Sequence, residues 1–131
     1  MNGIPKSVLT ALALVASAGA AVADGDGSAG EATFRVCKTC HRIGEGATNF
    51  VGPELNGVVG RKAGSVPGYN YSDANRNSGL TWDEATLTKY LHSPREVVPG
   101  TKMAFPGLPK DQDVANLIAY LKQFGPDGKK M

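Results

Sequence analysis

The sequence predicts an all-α fold, with a helix near each end of the chain and long loops between them. Three observations predict it. Val114, Leu117, Ile118, Leu121 and Phe124 recur at the spacing of one helix face. Thr81 and Glu84 make an S/T-x-x-E box ahead of a second apolar stripe, Leu87, Tyr90 and Leu91. No stretch alternates apolar and polar residues as a half-buried strand does, and no internal repeat stands out.

Taken in order, residues 1–23 read as a secretory leader and not as part of the fold. Lys6 supplies the early positive charge, Val8 to Val22 is almost all Ala, Leu, Val and Gly, and Ala21-Val22-Ala23 is a small-x-small site ahead of Asp24. The apolar run is shorter than the roughly 20 residues that span a bilayer. Cleavage after Ala23 is expected, leaving residues 24–131 as one domain. Asp24 to Ala29 is a frayed lead-in, and Gly30 to Lys38 is a helix with Gly30, Phe34 and Cys37 on one face. Gly44 to Gly68 is rich in glycine, without periodicity, and reads as ordered loop.

Ser72 caps a short helix that runs through Asn77 and ends at Gly79. The helix opened by Thr81 and Glu84 stops at Pro94, and Ser93 to Pro109 is a second loop holding four prolines. The last helix has Asp111 and Asp113 near its start, Lys122 in its last turn, and Gly125-Pro126 after it.

Charge excludes one large class of function. The chain has 14 basic and 12 acidic residues; removing Lys6 with the leader leaves 13 against 12. That is no nucleic-acid-binding excess. The two cysteines, Cys37 and Cys40, are too close for a disulfide between them to staple a domain. Long loops and few large apolar side chains therefore call for an apolar group of some size among them.

Cys37-Lys38-Thr39-Cys40-His41 is C-x-x-C-H, the haem-attachment signature. Two thiols three residues apart on a helical turn can add to two vinyl groups of one porphyrin, and the next residue presents an imidazole to the iron. A thioredoxin-like reading needs a βαβ setting that is not seen. A zinc finger needs four ligands at paired spacings, and His92 has no partner histidine.

The second axial ligand follows by elimination. Met1 leaves with the leader and Met131 ends a polar tail, so Met103 in the proline-rich loop is the candidate. A thioether is a soft ligand, and a His/Met pair suits electron transfer. His92 is the rival ligand, although its place on the helix before Pro94 reads as a surface position.

With these motifs the chain resembles the class I cytochromes c, in particular the cytochrome c2 group, bacterial relatives of mitochondrial cytochrome c. The resemblance runs from Gly30 to Phe124. It includes Gly52-Pro53, Gly57 with Gly60-Arg61-Lys62, Pro67-Gly68-Tyr69, Tyr71 through Trp82, Pro99 to Met103, and Leu117 to Leu121. It implies the cytochrome c fold, with terminal helices crossing and long loops wrapped around one haem c bound through Cys37 and Cys40. It also implies that the Pro53 carbonyl accepts from His41, and that Arg61, Tyr71 and Trp82 hold a buried propionate. Tyr90 and Thr101 would flank the Met103 sulfur, Asn75 would order water nearby, and Phe105 would shield the haem edge. Gly30 and Phe34 would pack on Leu117 and Tyr120.

Departures are Val36, Phe50 and Pro109, where mitochondrial relatives often carry Lys, and Glu96 beside Arg95. A strongly basic docking face is therefore not expected. The resemblance implies a soluble, monomeric, periplasmic one-electron shuttle and not an enzyme. Its partners would be redox proteins, with a quinol-oxidising complex as donor and an oxidase, reaction centre or other periplasmic protein as acceptor. A peroxidase would need an open iron position, which Met103 would fill. A gas-binding helical-bundle cytochrome would carry its haem motif near the C-terminus.

Overall fold

In a computed structural model the structure describes residues 23–131, together with Gly3, Ile4, Ser7, Thr10 and Ala11. The leader expected over residues 1–23 therefore lies mostly outside the described residues. Among the described residues five helices follow in order: α1 (Gly27–Phe34), α2 (Asp73–Arg76), α3 (Glu84–His92), α4 (Pro94–Val97) and α5 (Asp111–Leu121). Among the described residues, strand pairing is limited to two isolated bridges, Lys62 with Thr81 and Phe124 with Lys130. The all-α prediction holds.

Helix α1 begins three residues before the predicted start. Asp26 caps it, its carboxylate accepting from Ser28 N at 2.8 Å, and the lead-in residues are thereby ordered. The helix also ends early, at Phe34. Beyond it the chain continues in tight turns, with Cys37 N bonded to Phe34 O at 2.8 Å and His41 N to Cys37 O at 2.9 Å.

Helices α1 and α5 pack against each other, and glycine makes this possible. A Cβ on Gly30 would lie 1.9 Å from Asn116 O, and one on Gly25 would lie 2.1 Å from Ala115 O. Without those side chains the two backbones meet. Phe34 and Tyr120 pack beside the crossing with ring centroids 5.3 Å apart, and Leu117 is buried in the same core. The crossing of terminal helices is thus present, on the residues expected for it.

The Ser72 cap of α2 is found, accepting from Asn75 N at 3.1 Å, and Gly79 (φ +70°) leaves the segment in the left-handed conformation that glycine tolerates. The cap of α3 is not the one expected. Asp83 caps it by accepting from Thr86 N at 2.7 Å, while Thr81 is drawn into its bridge with Lys62. Asp83 lies next to the first helical residue, where its carboxylate reaches the free N–H groups directly. Pro94 ends α3 but also starts α4, where loop was predicted, because proline lacks only the N–H that a first helical turn leaves unpaired. Phe124 lies past the end of α5 yet is buried, stacked edge-on against Tyr120 at 5.2 Å.

Trp82, Leu87, Tyr90, Leu91, Val98, Val114 and Ile118 complete the core, with Cys37, Leu55 and Met103 packed partly buried against it. The long loop from 44 to 68 contributes Val58, Ala63 and Val66 to the interior, although it has no regular structure.

Candidate functional site

The turn after α1 carries the thiols and the imidazole. Burial, together with the neighbouring Cys40, pushes the Cys37 thiol up to about 11. This environment favours an uncharged sulfur, and a thioether is uncharged. His41 is held below its ordinary pKa, chiefly by burial and further by the Arg61 charge, although its bond to Pro53 acts the other way. The neutral ring is the form that can ligate a metal.

The Pro53 carbonyl fixes which nitrogen is free. It lies 2.7 Å from His41 Nδ1, and a carbonyl only accepts, so Nδ1 carries the hydrogen and Nε2 keeps its lone pair. Pro53 is placed by the loop that doubles back over the turn. Gly52 N donates to Cys40 O at 2.8 Å, and Leu55 N donates to Arg42 O at 3.0 Å. Gly52 is buried against the imidazole, and a Cβ there would fall 2.4 Å from His41 Cε1.

Met103 lies in the loop after α4. Tyr90, near the end of α3, points its hydroxyl at the Met103 sulfur at 3.8 Å, and Met103 N donates to Thr101 Oγ1 at 3.3 Å. Tyr90, Thr101 and Met103 are thus brought together. Burial raises the Tyr90 phenol above its ordinary value and keeps it a donor.

Arg61, Trp82 and Tyr71 form a third group. Trp82 N donates to Arg61 O, and Gly60 N donates to Trp82 O, both at 2.8 Å. The Trp82 ring packs on Tyr90 with centroids 4.6 Å apart, which joins this group to the Met103 side. The Tyr71 oxygen accepts from Val66 N at 3.0 Å, leaving its own O–H for another partner. Arg61 Nη1 donates to Glu54 O at 3.1 Å and Asn56 O at 3.0 Å, but its Nε is buried without a partner. Asn75 Oδ1 is likewise buried and unpartnered. Unpaired buried polar atoms cost free energy and normally mark a missing partner.

These features fit a haem. A neutral His41 with a free Nε2 and a soft thioether at Met103 match an iron that accepts nitrogen and sulfur. The orphaned Arg61 Nε–H is a donor of the kind a propionate would meet.

Two anchoring residues were not anticipated. Glu54 lies 3.7 Å from Arg61 and takes Asn56 N at 2.7 Å, which holds the guanidinium. Asn56, buried, exchanges a pair of bonds with the Gly44 backbone at 2.8 and 2.9 Å and pins the loop. An isolated Asn or Glu in a loop carries no periodic signal. His92, expected as a surface histidine and weighed as the rival ligand, is half-buried with both ring nitrogens engaged. Its two ring nitrogens meet Leu108 O and the Asp111 carboxylate. Among the described residues, no group of three or more His, Cys, Asp or Glu gathers as a metal cluster would.

Residues 27–125 match the family model for cytochrome c. Cytochrome c2 of Rhodoplanes tepidamans is 58% identical over 105 residues, covering 80% of this chain and 98% of that one. Cytochrome c-554 of Methylosinus trichosporium is 55% identical over 127 residues, covering 95% and 96%. The solved structure of cytochrome c2 from Rhodospirillum centenum superposes with a TM-score of 0.74 at 40% identity, covering 78% of this chain and all of that one.

Proposed function

The chain belongs to the cytochrome c family and is an electron carrier with one covalently attached haem c, and from that premise we propose how its own residues divide the work. Cys37 and Cys40 hold the haem by thioether bonds. His41 and Met103 ligate the iron. Arg61, Tyr71 and Trp82 receive a propionate, and Tyr90, Thr101 and Asn75 order the Met103 side.

The observation that carries this reading is the 2.7 Å bond between His41 Nδ1 and the Pro53 carbonyl, on the turn that also bears both cysteines. It aligns the ring and strengthens Nε2 as a donor. Bound there, the haem supplies a one-electron iron couple. The Tyr90 hydroxyl donates to the Met103 sulfur, and Arg61 would offset propionate charge.

Carriers of this family are generally not enzymes, and with His41 and Met103 both held to the iron no position there would be left for a substrate. We place the mature chain, residues 24–131, in the periplasm as a soluble monomer released from its leader. No described helix is long and apolar enough to cross a membrane. It docks briefly with a quinol-oxidising complex as donor and with an oxidase, reaction centre or other acceptor, through a small interface suited to fast turnover.

Met103→Ala tests the assignment. The haem stays attached, the reduction potential falls, and the ferrous protein binds carbon monoxide readily near neutral pH, which the parent resists. An unchanged potential and spectrum would overturn the ligand assignment.

A further inference from the structure

Residues 102–107 form an arm around Met103. Among the described residues, this arm takes part in no backbone–backbone hydrogen bond. Its position is set at its ends, at the sulfur and by the Lys102 side chain, which donates to Asn70 O. On the upstream side, Thr101 N donates to Val98 O at 3.0 Å. At the sulfur, Tyr90 reaches Met103. On the downstream side everything falls on the last residues of α3. Leu108 N donates to Leu91 O at 2.8 Å, and His92 Nδ1 lies 2.7 Å from Leu108 O. Leu108 is thereby held at both its N–H and its carbonyl.

The same imidazole reaches further. His92 Nε2 lies 2.8 Å from Asp111 Oδ1, in the first turn of α5. Gly107 fits flush against the Leu91–His92 backbone, with φ +113° and no room for a side chain, since a Cβ would lie 2.0 Å from His92 O. One side chain thus joins the end of α3, the downstream end of the Met103 arm and the start of α5.

We propose that His92 is a positioning residue for Met103: through Leu108 it holds the downstream end of the arm closed and so keeps the sulfur in place. This rests on the reading of Met103 as the iron ligand. Tyr90 and His92 are two residues apart in α3, so one helical turn steadies both the ligand atom and the hinge of the segment that bears it. The two bonds of His92 are unequal in weight. The Leu108 bond closes a half-buried hinge. Asp111 is 69% exposed, and exposed ion pairs contribute little. The bond to Leu108 carries the effect.

The test reads access to the iron. Imidazole added in saturating amount to the ferric holoprotein can bind only when the Met103 arm opens, so its limiting rate reports opening. Losing a net hydrogen bond of about 1.4 kcal/mol raises the open population about tenfold. His92→Ala should raise the limiting rate about that much, as should His92→Leu, which retains side-chain bulk. His92→Asn places an amide N–H where Nδ1 stood and should restore a rate within about twofold of the parent. Asp111→Asn should also stay within about twofold. In a Met103→Ala background, with no sulfur to displace, His92→Ala should add nothing.

An unchanged rate in both His92→Ala and His92→Leu would overturn the proposal, as would an equal acceleration with and without Met103. A Met103→Ala spectrum identical to the parent's would overturn the ligand reading itself, and the proposal with it. The arms of the experiment separate the two failures.

Discussion

Gly52 lies flat on the His41 imidazole, so close that a Cβ would stand 2.4 Å from Cε1, 2.8 Å from Nδ1 and 2.9 Å from Nε2. Its φ is not in the left-handed region, so the requirement for glycine here is one of space and not of conformation. The ring cannot retreat freely, because Pro53 O holds its Nδ1.

Gly52→Ala should therefore cost about 1–3 kcal/mol, the usual penalty for forcing a methyl into a packed site. Denaturant unfolding of the holoprotein gives the number. The haem should remain attached, since the thioether bonds do not depend on this contact. A variant as stable as the parent would show that the loop relaxes away.

Asp83 gives a pH dependence whose sign is fixed. The bond from Thr86 N holds its carboxylate below the ordinary value of 3.8. A depressed folded pKa means that the unfolded chain binds the proton more readily. The stabilisation is therefore complete above the unfolded pKa and is lost as pH falls through the folded one. Melting curves of Asp83→Ala and the parent should differ most above about pH 5 and converge toward pH 2.

Processing is expected after Ala23. Protein recovered from a periplasmic extract should begin at Asp24 and carry the mass of one haem. Material retaining residues 1–23 in a membrane fraction would argue for an anchored carrier.

Partner association should weaken only gently with salt. Val36 and Phe50, both more than half exposed, put apolar side chains on the surface where a basic docking face would carry charge. Lys102 is drawn to Asn70 O and lies over the Tyr69 ring, 4.6 Å from its centroid. Exposed charges are screened beyond about 10 Å at 0.1 M salt. Stopped-flow kinetics against one partner should show a shallower slope than a lysine-ringed mitochondrial relative gives.

Much of this was legible from the residues alone, and the reason is local. C-x-x-C-H spans five positions, and the face from Val114 to Leu121 repeats within one helix, so short windows contain the whole signal. The cap of α3 was misplaced because Thr81 and Asp83 are both capping residues, and only the bridge to Lys62 decides between them. The helical turn α4 was hidden by Pro94, which ends one helix and begins the next. His92 could not be read because its partners lie 16 and 19 positions downstream and become neighbours only once α3 and α5 are assembled. Glu54 was missed for a similar reason, since nothing in its own stretch announces the guanidinium it holds.

The crossing of α1 on α5 also sets an order in time. The surface that covers Gly30 and Phe34 comes from α5, the last of the described helices in chain order. A nascent chain ending before Asp111 cannot close its interior, however long it waits. Cys37 and Cys40, just beyond α1, therefore remain in an unfinished setting throughout synthesis. Until α5 is in place, α1 has no helix to pack on, and the turn that bears both thiols stays unsupported on that side.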